Sequence, residues 1–163
     1  MLKQLRKESG FTIIELLIVI AIIGILATLV LTNFQGAQAK GRDTVRKNDI
    51  NSLYQKLEEY YNENGSYINE EITVDNASTL FPGIDEGAVT DEDGQIIVTT
   101  FNVTPSDGTE PTPTVSNTPG EEYNLVLWGD PLCAAGGTCT KYVLAAYQET
   151  TDGNAPYTKS SLN

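Results

Sequence analysis

The sequence predicts an α+β fold in which a long N-terminal helix, apolar and membrane-length in its first half and amphipathic in its second, packs on a small antiparallel sheet with a disulfide-closed C-terminal hairpin. Three observations predict it: an apolar run at 11–31, a helical stripe of apolar residues between 50 and 61, and three β-rich segments after residue 94. Because a small sheet alone would expose an apolar face, the striped part of the helix is the surface that covers it.

The apolar run at 11–31 contains one charged residue, Glu15. As a helix rising 1.5 Å per residue it is about 31 Å long, the thickness of the hydrocarbon core of a bilayer. Lys3, Arg6 and Lys7 precede it, which predicts an N-terminus in the cytoplasm and the rest of the chain outside. A cleavable secretory signal fits less well, because the run is long and no Ala-x-Ala follows it.

The segment 32–65 is predicted to continue the same helix as an amphipathic one. Its apolar stripe includes Ile50, Leu53 and Leu57, which recur at helical spacing. Gly65 is the predicted end of the helix, because glycine readily takes a left-handed conformation. The weak helix formers around Thr32 predict a bend or a soft segment there.

Residues 66–163 are predicted to form a globular head. Segments 95–103, 122–128 and 140–147 are rich in β-branched and aromatic residues and are typical of strands. Residues 104–120 carry four prolines and are predicted to be an exposed, flexible Thr/Pro loop. This composition admits O-glycans, although an unmodified loop is the simpler interpretation.

Cys133 and Cys139 are the two cysteines of the chain, and their close spacing predicts a disulfide in an exported head. So short a ring contributes about 2–3 kcal/mol by the loop-entropy model. The alternative is a pair of free thiols in a reducing compartment. Two cysteines without any histidine do not complete a zinc shell unless carboxylates or another chain help.

The net charge of −12 is concentrated in the distal part of the chain. After Lys56 there are 18 acidic residues against Lys141 and Lys159. This distribution excludes nucleic-acid binding by the head, since phosphate recognition needs cations. It favours solubility and mutual repulsion of exposed surfaces.

The sequence contains no pattern typical of an enzyme. There is no histidine, no nucleophile elbow and no phosphate-binding loop. Asp91 and Asp93, before Gly94, are weak candidates for a calcium site, since hard cations prefer clustered carboxylates. The same residues are equally typical of a turn. We therefore expect no enzymatic activity and no cofactor other than, at most, calcium.

The most informative segment joins the basic leader to the apolar run. A carboxylate at the centre of a membrane helix costs about 2.5–3.5 kcal/mol and less near the interface, so Glu15 needs a partner. Cleavage after Gly10 would give Phe11 a positive amine four residues before Glu15. That carboxylate can then pair with its own amine or with that of a neighbouring copy.

Residues 10–27, GFTIIELLIVIAIIGILA, closely resemble the type IV pilin and pseudopilin family, and residues 55–67 resemble it more loosely. The resemblance implies that a prepilin peptidase removes the leader 1–10 at Gly10, that Phe11 is N-methylated, and that Glu15 pairs with a neighbour during assembly. It implies that the helix packs in a filament core while the head faces outward. The cysteine pair resembles the family's disulfide-bounded C-terminal region.

Two features qualify what the resemblance implies. Many members of the family have proline where this chain has Thr32, so the position of a kink is left open. Secretion-type major pseudopilins hold calcium in the head, which lends some support to Asp91 and Asp93.

The implied partners are other copies of the chain, other pilins, the prepilin peptidase, an inner-membrane assembly platform and, before assembly, membrane lipid. The expected location is the cytoplasmic membrane for the precursor, followed by an extracellular or periplasmic filament. The expected function is that of a type IV pilus subunit for adhesion, twitching motility or DNA uptake. A type II secretion pseudopilin and a non-polymerising, membrane-anchored binding module are the alternatives.

Overall fold

The computed structural model describes residues 10–91, 93–103, 109–118, 120–129, 133, 137–151 and 155–162, without the side chains of 31–33, 102 and 103. Its elements, in chain order, are α1 (Ile13–Asn64), α2 (Val74–Leu80), a 3-10 turn (Glu86–Ala88), β1 (Val98–Val103), β2 (Tyr123–Gly129), β3 (Lys141–Ala146) and β4 (Tyr157–Ser160). Most of the predicted leader lies outside the described residues.

The helix α1 belongs to two compact units, one that ends at Gln38 and one that begins at Ala39. Its backbone is helical throughout, including at Thr32, so the bend suggested there stays a prediction. The helix ends as expected at Gly65, whose φ is +75° and whose N–H donates to the carbonyl of Tyr61 at 2.7 Å. Glycine takes this left-handed backbone without the steric penalty that a Cβ brings.

The second unit contains a four-stranded sheet in the order β1-β2-β3-β4. β2, β3 and β4 pair antiparallel, but β1 runs parallel to β2. The α+β fold class is confirmed, whereas the sheet is mixed rather than wholly antiparallel. The 19-residue connection between Val103 and Tyr123 is long enough to return the chain to the end of the sheet where β1 began.

The core lies between the sheet and the second half of α1. Ile50, Leu53 and Leu57 are almost fully buried, as the apolar stripe predicted. They belong to the same cluster as Leu125 and Leu144, which are partners in the β2–β3 register. Burying each leucine side chain contributes about 1.5–3 kcal/mol relative to an exposed one, so this stripe is what holds the helix on the sheet.

The opposite face of the sheet is also covered. It carries Val126, Trp128 and Val143, which are buried in a cluster of their own. Ser160 pairs in register with Val143 and so shares this face, where its hydroxyl donates to Glu110 of the β1–β2 connection. Residues 109–118 of that connection therefore cross the face, and we call this segment the strap.

The strap lies within the predicted Thr/Pro loop, of which 104–108 and 119 lie outside the described residues.

Candidate functional site

The N-terminal end of α1 holds the carboxylate that the sequence marked. Thr12 precedes the first helical residue, and its backbone N–H and its hydroxyl donate to Glu15 Oε2 at 2.9 and 2.8 Å. In return the backbone N–H of Glu15 donates to Thr12 Oγ1 at 3.3 Å. This reciprocal arrangement is a capping box, which satisfies backbone donors that the first turn of a helix leaves unpaired.

The sequence analysis did not identify Thr12 as a hydrogen-bond partner of Glu15. The missed signal is the spacing Thr-x-x-Glu directly before an apolar run, which is the sequence signature of a capping box. The carboxylate therefore has hydrogen-bond partners within a single copy.

The two residues before this cap are open to their surroundings. The side chain of Phe11 is 89% exposed. A Cβ placed on Gly10 would have no atom within 4 Å among its non-neighbouring residues. Packing among the described residues therefore does not require a glycine at this position.

The apolar half of α1 has no cover within the described chain. Its large apolar side chains from Ile13 to Val30 are 49–79% exposed. The most apolar 18-residue window of the helix has a mean hydropathy of 3.0, and by length and composition α1 can cross a membrane. So large an apolar surface calls for lipid or for other apolar helices.

A second cluster of charges, which the sequence analysis missed, lies in the second unit. It consists of Arg42, Asp43, Arg46, Glu122 and Glu149, and we call it the Arg46 cluster. Arg46 is only 1% exposed and donates to Glu122 Oε1 and to Glu149 Oε1, each at 2.8 Å. Arg42 donates to both carboxylate oxygens of Glu149. The cluster thus joins α1 to the residues that flank β2 and β3.

The environment of the cluster favours the charged form of its acids. Hydrogen bonds from Arg42, and after them from Arg46, lower the pKa of Glu149 from 4.5 to about 2, although burial opposes the change. Burial alone would raise the pKa of Asp43, but hydrogen bonds from Thr150 and from the backbone N–H groups of Glu149 and Thr150 outweigh it and lower that pKa.

The predicted disulfide between Cys133 and Cys139 is confirmed. Both residues are buried and belong to the main core cluster. The carbonyl of Cys139 accepts a hydrogen bond from the backbone N–H of Tyr67 at 2.8 Å, which ties the loop to the chain just beyond α1. Both ends of the loop are therefore part of the core.

The carboxylate of Asp91 lies in a turn. Asp91 is 7% exposed, and its two carboxylate oxygens accept hydrogen bonds from the backbone N–H groups of Asp93, Gln95 and Gly120. Calcium binding at Asp91 and Asp93 stays a prediction. Among the described residues, no group of three carboxylates lies close enough to hold a metal.

Comparison with known proteins identifies the N-terminal segment. Residues 5–31 match the family model described as the prokaryotic N-terminal methylation motif. The chain is similar to the type IV major pilin of Myxococcus xanthus, at 39% identity over 61 residues, or 37% of this chain and 28% of that protein. It is similar to the type II secretion system core protein G of Aeromonas hydrophila, at 41% over 64 residues, or 39% and 45%.

A third relative is the major component of the type IV wide pilus of Thermus thermophilus, at 44% identity over 63 residues, or 39% of this chain and 48% of that protein. The chain thus spans less than half the length of each of these curated relatives. No solved structure matches it.

The fold and the N-terminal site define an α+β protein whose long helix begins with a methylation motif and is apolar enough to anchor a precursor in a membrane. In this N-terminal region the chain is similar to type IV pilins and to type II secretion pseudopilins, which confirms the resemblance seen in residues 10–27.

Proposed function

We propose that the chain is a structural, non-enzymatic subunit of a type IV pilus, and that it polymerises through α1 after a prepilin peptidase removes residues 1–10. The observation that carries this proposal is the uncovered apolar surface from Ile13 to Val30, with Glu15 at its start. In the precursor this surface faces lipid, with the N-terminus inside the cell. In the filament it faces the helices of other copies.

The capping box explains how the carboxylate of Glu15 can be stabilised both in the membrane-bound precursor and in the filament. In a single copy, Thr12 donates two hydrogen bonds to Glu15, which lowers the cost of placing the carboxylate near the membrane interface. Cleavage after Gly10 adds a positive amine at Phe11. An amine from a neighbouring copy, delivered by the assembly platform, offers Glu15 a stronger ionic partner in a medium of low dielectric.

The resulting filament would act at the cell surface in adhesion, twitching motility or DNA uptake. The disulfide between the buried Cys133 and Cys139 and the crossing strap support an exposed, mechanically stable head. A pseudopilin of a type II secretion system is the second candidate, because several of the similar proteins are core protein G of such systems.

Replacing Glu15 by Ala tests the polymerisation step. We expect the variant to insert in the membrane and to be cleaved after Gly10, but to be absent from filaments sheared off the cell. The reason is that an amine facing an apolar helix without its carboxylate is left unpaired. Cell fractionation, immunoblotting and mass measurement of the mature N-terminus give the readout.

The matched control is Glu63→Ala, an exposed carboxylate at the other end of the same helix, which should assemble normally. Wild-type amounts of filament from the Glu15→Ala chain would refute the pairing role. Loss of protein secretion on deletion, without loss of surface filaments, would favour the secretion system over the pilus.

A further inference from the structure

The sheet has two edge strands, and they differ in what protects them. In the order β1-β2-β3-β4, β1 lies at one edge and β4 at the other. Within the described residues, β1 pairs with β2 and with no other segment. An edge strand exposes backbone N–H and carbonyl groups, which can pair with an extended strand of another chain unless charge, proline or a covering segment prevents it.

β4 has three features that protect an edge strand. It is only four residues long, Pro156 precedes it, and Lys159 lies within it. The Nζ of Lys159 lies 5.4 Å from the centre of the Tyr54 ring, so its charge is held on the side of the strand that faces α1. Short length, a neighbouring proline and an inward-pointing charge each disfavour pairing with a further strand.

β1 has none of these features. Its six residues contain no charge and no proline, and no charged side chain occurs from 94 to 106. Val98 is 39% exposed, and Thr100 is partly exposed. The hydroxyl of Thr99 accepts a hydrogen bond from the backbone N–H of Ile72 at 3.4 Å. That side chain lies on the inner face of the sheet, so the contact does not occupy the backbone at the outer edge of β1.

We propose that the outer edge of β1 binds β1 of a second copy, antiparallel and around a two-fold axis, so that two heads share one continuous sheet. An axis at Thr100 places this residue opposite its own copy and Thr99 opposite Phe101. Threonine pairs and pairs of an aromatic with a β-branched residue stabilise antiparallel strands, and no like charges lie opposite each other.

The charge of the head explains why a second copy approaches at β1. The chain carries a net charge of −12, so identical heads repel each other over much of their surface. The uncharged run 94–106 allows two copies to approach without placing acid against acid.

The symmetry of this contact differs from that of a filament. A helical filament is built from heterologous contacts, whereas a two-fold contact is isologous. The β1 pair therefore joins heads of two different filaments. The inference goes beyond the proposed function, because it joins heads and does not use the apolar half of α1.

Cross-linking of the full chain in detergent tests the pairing. Val98→Cys places a thiol on β1, and an axis at Thr100 brings the two thiols to about 14 Å from each other, since they are then four residues apart along the strands. A flexible bismaleimide of that reach should give covalent dimers. The matched control is Thr158→Cys, an exposed position of β4 in the same row of the sheet as Val98, and it should stay monomeric.

Charges introduced at Thr100 test the register. The variants V98C/T100K and V98C/T100E should each lose the dimer, because two like charges then face each other across the axis. An equimolar mixture of the two should recover it, which also shows that both variants are folded. V98C/T158K carries the same added charge at the other edge of the sheet and should keep the dimer.

Two results would overturn the inference. One is a yield of dimers from Thr158→Cys equal to that from Val98→Cys, since association within the micelle would then explain both. The other is the absence of dimers from Val98→Cys: labelling of its thiol by a monofunctional maleimide would show an open but unpaired edge, and no labelling a covered one. Filaments built from a chain that gives no β1 dimers would leave the proposed function standing, whereas β1 dimers from a chain that never forms filaments would refute only the proposed function.

Discussion

Arg46 is a buried cation whose charge is balanced by acids from distant parts of the chain. Its guanidinium contacts Glu122 and Glu149 at 2.8 Å, and Asp43 lies 3.6 Å away on the preceding turn of α1. Moving such a group out of water is unfavourable unless each donor finds an acceptor. The forked, planar shape of arginine suits two carboxylates at once.

Replacing Arg46 by Met should lower the free energy of unfolding by about 3–5 kcal/mol, because the buried Glu122 then loses the guanidinium that it pairs with, whereas Glu149 keeps Arg42. Urea denaturation of the full chain in detergent, followed by the fluorescence of Trp128, measures the change. Lys40→Met, an exposed cation of the same helix, is the control and should change stability by about 0.5 kcal/mol or less. A loss as small as that for Arg46→Met would contradict the role of the cluster.

The lowered pKa of Glu149 predicts an acid-sensitive contribution to stability. Its folded pKa of about 2 lies below its ordinary value of 4.5, so the unfolded chain binds the proton more readily. The stabilisation is present above pH 4.5 and is lost as the pH falls towards 2. We expect the stability difference between wild type and Glu149→Gln to shrink over this interval. A constant difference from pH 5 to 2 would disprove the assignment.

At the scale of elements, the loop between β2 and β3 depends on its disulfide. The two cysteines are six positions apart and buried, and the loop contacts the segment after α1 at two points. One is the Tyr67–Cys139 bridge and the other is the hydrogen bond from Asn69 Nδ2 to the carbonyl of Gly137 at 3.2 Å. Opening the ring would free the loop from part of the core.

Reduction of the disulfide should lower the free energy of unfolding by about 2–3 kcal/mol, since a ring of this size restricts the unfolded chain to that extent. Comparing oxidised and reduced wild-type protein isolates the crosslink, because no side chain is removed. The reduced sample should stay in excess reductant and should not be alkylated, so that both transitions are measured on unmodified cysteines. Equal urea midpoints for the two forms would show that the crosslink is energetically neutral.

At the scale of the whole molecule, charge opposes close approach between heads. The net charge is −12, and 18 acidic residues follow Lys56. Polymerisation as proposed would bring many such heads together, and their mutual repulsion has to be outweighed by burial of the apolar helices. Salt screens this repulsion between the exposed charges of neighbouring heads.

Raising the salt concentration from ~10 mM to ~150 mM should therefore increase lateral bundling of sheared filaments, because the Debye length falls from about 30 Å to about 8 Å. Light scattering and negative-stain microscopy measure it. A variant with Glu63, Glu70 and Glu71 changed to Gln removes three exposed acids and should bundle at lower salt. Bundling that is independent of both salt and these residues would argue that charge does not separate the filaments.

The sequence by itself determined the features that depend on residues close together in the chain. Hydropathy and length predicted the apolar helix, and 3.6-residue spacing predicted the buried stripe that includes Leu53. Two nearby cysteines predicted the disulfide. The Thr12–Glu15 capping box is also a short-range pattern, because its two residues are three positions apart. Each of these patterns lies within a short stretch of sequence, so it can be recognised without knowledge of the fold.

Tertiary structure alone decided the parallel pairing of β1, the path of the strap across the outer face and the Arg46 cluster. β4 was also missed, since its four residues, Tyr-Thr-Lys-Ser, are too short and too polar to stand out as a strand. Arg46 contacts residues 76 and 103 positions away. Such pairs depend on the packing of the whole unit. A buried charge needs partners of opposite charge, and only the fold brings residues so distant in sequence close together.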